Sequence, residues 1–280
     1  MKESRIKGLY LASLAVSGAI LLQMLLYLLQ HLFTWRPFFN IFDLCIILFQ
    51  KLHVPAPLAW YAINVLILHT FGLLIWLMVQ HARDTWKAKK IVKLSEVSAL
   101  SQQYQDQFGL RPNALSMISY QAPIAMTVGL WKPRILLSTG LIDMLEPNEL
   151  KAVIEHEKCH VRYRDPLAGL LLATLSKAMW YIPIFAWLVE KYPIMIELRA
   201  DKYAISQMKQ SLDLGSALLK LLRQAPTPQI ISLSHASFAE TSMNVRIQHI
   251  LDPQMKLSLH WPLIRMASSL LIVILLNGLI

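Results

Sequence analysis

A chain of 280 residues with 55% hydrophobic and only 16% charged side chains, and a mean hydropathy of +0.45, argues against an ordinary soluble domain, in which about a quarter of residues are charged. The formal charge of +10 does not by itself point to nucleic acid, because Lys and Arg collect in the cytoplasmic loops of membrane proteins. The two cysteines, Cys45 in an apolar run and Cys159 inside a histidine motif, imply no disulfide framework.

Lys2, Arg5 and Lys7 precede an uncharged apolar run, Leu9 to Leu29, that is long enough to cross a bilayer. It exceeds a usual signal-peptide core and no small-x-small cleavage site follows it, so a retained span with a cytoplasmic N-terminus is expected. Phe38 to Gln50 is shorter, and Asn40, Asp43 and Gln50 can form a polar stripe. An interfacial or re-entrant helix is expected over 38–50. Pro55 and Pro57 break the chain before a second span, Leu58 to Val79, in which His69 reads as a buried hydrogen-bonding residue between helices. Arg83, Lys87, Lys89, Lys90 and Lys93 follow, against a single Asp84. The positive-inside rule puts this cluster in the cytoplasm, in agreement with the N-terminal basic residues two spans earlier. A direct nucleic-acid role is disfavoured, since no reading helix accompanies the cluster. Residues 1–93 therefore read as an N-terminal membrane region.

Residues 94–260 read as a cytoplasmic, mostly helical α+β catalytic domain. Leu94 to Gln107 looks helical, and Ala114–Ser119, Ile124–Val128 and Arg134–Ser138 read as short strands, with Gly129–Pro133 a turn. An exposed edge of these strands could hold an extended peptide, and an ordinary structural hairpin is the equal alternative. Good helix formers from Glu146 to Ile154, with Pro147 early, lead into His156-Glu157-Lys158-Cys159-His160. Histidines four apart share one helix face and can reach one metal ion, and Glu157 stands where it can take a proton from the attacking water. Zinc is the metal such ligands imply, although other divalent ions can occupy them. Cys159 is expected to be a bystander, since His160 already fills the helix-face position.

A hydrolytic zinc site needs three protein ligands and one open position. Glu197 is the candidate third ligand, and Asp201, one turn later, is expected to accept a hydrogen bond from the outer nitrogen of a ligating histidine. The intervening run, Pro166 to Trp187, is strongly apolar. A single crossing would carry Glu197 to the wrong side, so a helical hairpin is expected: out along Pro166–Met179, and back from about Ile184 through Met208. Pro183 and Lys177 support that reading, and the shortness of each limb disfavours two complete crossings. Ser211–Leu222 reads as an amphipathic helix, Pro226–Ser242 as a polar loop and Asn244–Leu251 as helical. Tyr203, Arg246 and His249 are all candidates for stabilising an oxyanion. Residues 261–280 end in a short apolar segment, Met266 to Ile280, expected to be a C-terminal transmembrane helix.

Several patterns together resemble the BlaR/MecR-type membrane metallopeptidases. They are Val128-Gly129-Leu130-Trp131-Lys132-Pro133-Arg134-Ile135, the run from Glu149 to His160, Arg164-Asp165-Pro166, Trp180-Tyr181-x-Pro183 and Glu197-x-x-Ala200-Asp201. The resemblance covers roughly residues 114 to 206. It implies a gluzincin-type zinc peptidase at a bacterial cell membrane, with its site facing the cytoplasm. His156, His160 and Glu197 would be zinc ligands, Glu157 the general base and Asp201 a supporting residue. It also implies a protein or peptide substrate such as a transcriptional repressor, cleaved in response to a signal. The sensors of that family carry a penicillin-binding domain after the last span, whereas this sequence stops at Ile280. A signal is therefore expected to enter through the spans, the segment around residues 31–56 or a partner, and a homodimer is compatible with the sequence. The rivals are an HtpX- or CAAX-protease-like quality-control peptidase and a non-catalytic membrane scaffold. A transporter is disfavoured by the few polar groups within the spans.

Overall fold

The structure is a computed structural model and describes residues 3–33, 55–224, 236–252 and 262–277. The helix expected over 38–50 lies outside the described residues, as does Cys45. Helices dominate. The chain divides into two compact units, one comprising Lys2–His81, Leu171–Val189 and Ser258–Ile280, the other Ala82–Leu170 and Glu190–Leu257.

The first unit contains α1, Glu3–Phe33, and the start of α2, Ala56–Ser95. These helices hold the segments Ile6–Gln30 and Trp60–Ser95, both long and apolar enough to cross a membrane. The buried positions of α1 include Ser13, Ser17, Ile20, Met24 and Tyr27, and those of α2 are Ile63, Ile67, Thr70, Leu74 and Leu77. Alternating steps of four and three set these positions in a narrow seam along each helix. Asn64 Nδ2 donates to the Tyr27 hydroxyl at 3.3 Å, tying the helices together. The seam passes through Thr70 and leaves His69 exposed, contrary to the buried role expected for that histidine. The segment expected to span the membrane over 58–79 is part of a longer helix. No Gly or Pro interrupts residues 73–95, so α2 continues for about 60 Å, roughly twice the thickness of a hydrocarbon core. The basic cluster therefore lies on the helix rather than in a loop.

In the other unit, Glu96 leaves α2 by bridging to Ile118, and α3, Ser98–Gln107, follows. Strands β1, Leu115–Ile118, β2, Ala125–Val128, and β3, Arg134–Ser138, form a sheet in the order β1-β3-β2. β1 runs parallel to β3, and β2 pairs antiparallel with β3 so that Thr127 faces Ile135 in register. The hairpin between them turns at Gly129 (φ 98), where a Cβ would meet the Lys132 carbonyl oxygen at 2.9 Å, so glycine is required. A short α4, Thr139–Met144, is capped by Ser138, whose Oγ accepts from Leu141 N–H at 3.2 Å.

The central helix is α5, Pro147–Tyr163. Leu150, Val153 and Ile154 on one flank close a core with Leu115, Met117, Ile135 and Leu137 of the sheet. On its other flank Ala152 packs with Ala204 of α7, Pro183–Met208, and with Leu214 and Leu218 of α8, Leu212–Gln224. Between α5 and α7 runs α6, Asp165–Ala178. Helix α7 continues through Pro193, where the missing N–H removes one rung of the ladder. After α8 the described chain resumes in α9, Ala236–Leu251. Residues 236–242, expected to be part of a loop, are helical, since no Gly or Pro separates them from the Asn244–Leu251 segment. The last element, α10, Leu263–Asn277, belongs to the membrane-helix unit, where Ser269 Oγ accepts from Ile184 N–H at 2.8 Å.

Candidate metal centre

Helix α5 starts at a reciprocal cap: Glu146 accepts from the backbone of Glu149, and Glu149 Oε2 accepts from Glu146 N–H at 2.9 Å. Pro147 stands at the first turn, where its missing N–H costs nothing. The helix runs between the sheet and α8 and so buries its middle. His156, Glu157 and His160 are 5%, 6% and 7% exposed.

The two imidazoles turn their Nε2 atoms toward each other, 3.0 Å apart. Glu197 of α7 completes a triangle, with Oε2 at 3.3 Å from His156 Nε2 and Oε1 at 3.6 Å from His160 Nε2. A divalent ion with bonds of about 2.0–2.1 Å in a tetrahedron has ligand atoms about 3.3 Å apart, so this donor set fits such an ion. Chemistry agrees, since two facing imidazole nitrogens and a carboxylate need a proton or a metal between them. Among the described residues this is the group of His, Cys, Asp and Glu side chains assembled closely enough to hold an ion.

Each histidine is backed by an acid and each acid by an arginine. Asp201 Oδ1 lies 2.9 Å from His156 Nδ1, and Arg246 of α9 grips Asp201 with Nε at 2.8 Å and Nη2 at 2.7 Å. Asp165 Oδ2 lies 2.7 Å from His160 Nδ1. Arg199 Nη2 donates to both oxygens of Asp165 at 2.5 and 2.6 Å, while its guanidinium stacks on Tyr163, 4.0 Å from the ring centroid. Acids on both Nδ1 atoms hold the Nδ1–H tautomer and free the Nε2 lone pairs for a metal. Asp165 reaches its position because Arg164 ends α5 in the left-handed conformation (φ 52) and turns the chain back beneath His160.

The electrostatics follow from this packing. Burial and the Arg246 charge both act to lower the pKa of His156, but its bonds to Asp201 and Glu197 prevail and push it up to about 9. Burial raises the carboxyls of Glu197 and Asp201, yet Arg246 and His156 outweigh it and hold both below the usual carboxylate range. Glu157 points to the sheet, where its Oε2 accepts from Thr127 Oγ1 at 2.7 Å. Thr127 sits on β2, an edge strand of the sheet, so one residue links Glu157 to a strand edge.

All five residues singled out in the sequence, His156, Glu157, His160, Glu197 and Asp201, thus gather in one unit. Of the three oxyanion candidates, Arg246 joins them; among the described residues, neither Tyr203 nor His249 hydrogen-bonds to the cluster. Sequence reasoning missed Asp165, Arg199 and Thr127. The Arg164-Asp165-Pro166 string was a usable signal for the first, since an acid just past a histidine helix can fold back on it.

A histidine pair and a carboxylate beside a held glutamate define a metallopeptidase-type centre. Residues 49–250 match the family described as BlaR1 peptidase M56, and the chain belongs to that family of membrane metallopeptidases. Regulatory protein BlaR1 of Bacillus licheniformis is 24% identical over 158 residues, covering 55% of this chain and 26% of the relative. A protease HtpX homolog of Sulfurovum sp. is 34% identical over 73 residues, 25% of this chain and 26% of the relative. Another HtpX homolog, from Methanocaldococcus jannaschii, is 22% identical over 138 residues, 49% and 43% of the two chains. The matched part of this chain spans about a quarter of the length of the first two relatives.

Proposed function

We propose that the chain is a membrane-bound zinc endopeptidase that cleaves cytoplasmic or membrane-proximal proteins in signal-responsive proteolysis, such as removal of a transcriptional repressor. The observation that carries this reading is the triangle of His156 Nε2, His160 Nε2 and Glu197 with Glu157 beside it. His156, His160 and Glu197 would hold the ion, and Asp201 and Asp165 would keep the two imidazoles in the binding tautomer. Zinc bound there supplies Lewis acidity that polarises a scissile carbonyl and acidifies water. Glu157, kept in place by Thr127, takes the proton of the attacking water and returns it to the leaving amine. β2 offers backbone groups to an extended peptide, which gives affinity without strict sequence preference. The regulatory half of the proposal draws on the likeness to a protein named regulatory protein BlaR1. The likeness to HtpX homologs supports a second reading, a general protease of membrane proteins.

The test is metal content and turnover of the detergent-purified chain. Wild type is expected to hold about one zinc per chain, Glu197→Ala to lose most of it, and Glu157→Gln to keep the zinc while losing peptide hydrolysis. Absence of metal from the wild type would sink the enzyme reading. Continued hydrolysis by Glu157→Gln would remove the assigned base.

A further inference from the structure

Arg246 sits where its charge acts on the proposed third ligand. It is 9% exposed, and two of its nitrogens are committed to Asp201. The remaining one, Nη1, lies 2.9 Å from Glu197 Oε2. Glu197 turns both oxygens toward the imidazoles, Oε2 to His156 and Oε1 to His160. Left alone, such a carboxylate can embrace a divalent ion with both oxygens. That would fill the coordination position that hydrolysis requires to stay open. A guanidinium beside one oxygen takes one of its lone pairs and sets a positive charge against the ion on that side.

Resting on the metal-centre reading above, we infer that Arg246 is a positioning residue that keeps Glu197 a one-oxygen ligand and so preserves the open coordination position. Asp201 is the anchor of this device. Glu197 and Asp201 stand one turn apart on α7, and a single arginine from α9 spans them, bidentate on one and single on the other. The planar fork of a guanidinium fits that task, whereas an ammonium lacks the bidentate geometry that Asp201 receives. The arrangement also makes the docking of α9 a condition for a competent site, although none of its described side chains is among the three ligands.

Cobalt(II) substitution of the full chain in detergent tests this, because four-coordinate cobalt absorbs visible light far more strongly than five- or six-coordinate cobalt. Wild type is expected to give the intense spectrum with one cobalt per chain. Arg246→Gln, which keeps a donor without the charge, is expected to retain its cobalt and lose most of the intensity. Arg246→Lys, which restores the charge, is expected to recover it in part. A wild-type spectrum from Arg246→Gln overturns the inference, as does a folded Arg246→Gln that no longer loads cobalt, which would make the residue merely structural. Should Arg246→Gln fail to fold, zinc-edge X-ray absorption of the wild type decides. A shell of four light atoms supports a one-oxygen Glu197, and five or more overturns it. Failure of the wild type to load cobalt at all would instead count against the metal centre itself.

Discussion

Two carboxylates meet the His156 ring from opposite sides, Asp201 on Nδ1 and Glu197 on Nε2, and in the metal-free site they keep it protonated up to about pH 9. A metal must displace that proton, so binding at neutral pH should release about one proton, and affinity should rise about tenfold per pH unit below 9. Calorimetry in two buffers of different ionisation enthalpy reads the released proton directly, and a pH-independent affinity would contradict the geometry. The metal-free protein should behave in the opposite sense. A histidine with a raised pKa contributes stability that is complete below its ordinary value of about 6.5 and is lost as pH climbs through the folded value. The depressed acids Glu197 and Asp201 contribute above their ordinary values and lose that contribution as pH falls through their folded ones. Chelator-treated protein should therefore melt highest between about pH 5 and 6.5, and metal-loaded protein at higher pH. At this scale the sequence was readable where the contact is local. The spacing of His156 and His160 follows from helix geometry alone, whereas Asp165, although flagged by the Arg164-Asp165-Pro166 string, reaches His160 only through a left-handed Arg164, a conformation for which Gly or Asn would be the usual sign.

Among the elements, α5 needs an anchor at its start because its middle buries three titratable groups. Glu149 is that anchor. Besides closing the cap, it accepts from Ser216 Oγ at 2.5 Å and Lys220 Nζ at 2.7 Å, pinning α5 to α8. Burial alone would raise its pKa, but Lys220, Ser216 and the Glu146 N–H together lower it. Glu149→Ala should cost about 1–3 kcal/mol, readable as a lower denaturation midpoint, while leaving the metal stoichiometry of the protein that remains folded unchanged. The sign of the shift adds that the wild-type advantage over this variant is present above about pH 4.5 and fades as pH falls through the lower folded value. An advantage independent of pH would show that the residue acts through packing rather than charge. The start of α5 was plain in the sequence because Pro147 and the run of helix formers are local signals. The partner of Glu149 was not, since Ser216 and Lys220 lie 67 and 71 residues away and look like ordinary positions of an amphipathic helix. The full length of α2 was not legible for the converse reason: the change from apolar to basic residues after Val79 marks a change of solvent, and nothing there stops a helix.

For the whole molecule, the decisive question is what the chain does between His160 and Glu197. Helix α6 has 14 residues, about 21 Å of rise, against a hydrocarbon core of about 30 Å. Arg199 of α7 returns to Asp165 at the start of α6, so the two helices double back on each other whatever surrounds them. Lys177 near the end of α6 is a further obstacle to a complete crossing in lipid. Under the proposed orientation the turn at Trp180 and Tyr181 is therefore predicted to stay within the cytoplasmic leaflet. Trp180 is 66% exposed, which makes it a suitable reporter. In a chain carrying Cys45→Ser and Cys159→Ser, Trp180→Cys should resist a membrane-impermeant maleimide added outside intact cells. A cysteine replacing the exposed Leu94 should resist it too, and become reactive once the cells are opened. Labelling of position 180 from outside, with position 94 protected, would mean that α6 and α7 cross completely. That outcome would overturn the hairpin reading of residues 166–208. It would leave the triangle of His156, His160 and Glu197 intact, because two crossings, like none, return Glu197 to the side of the histidines.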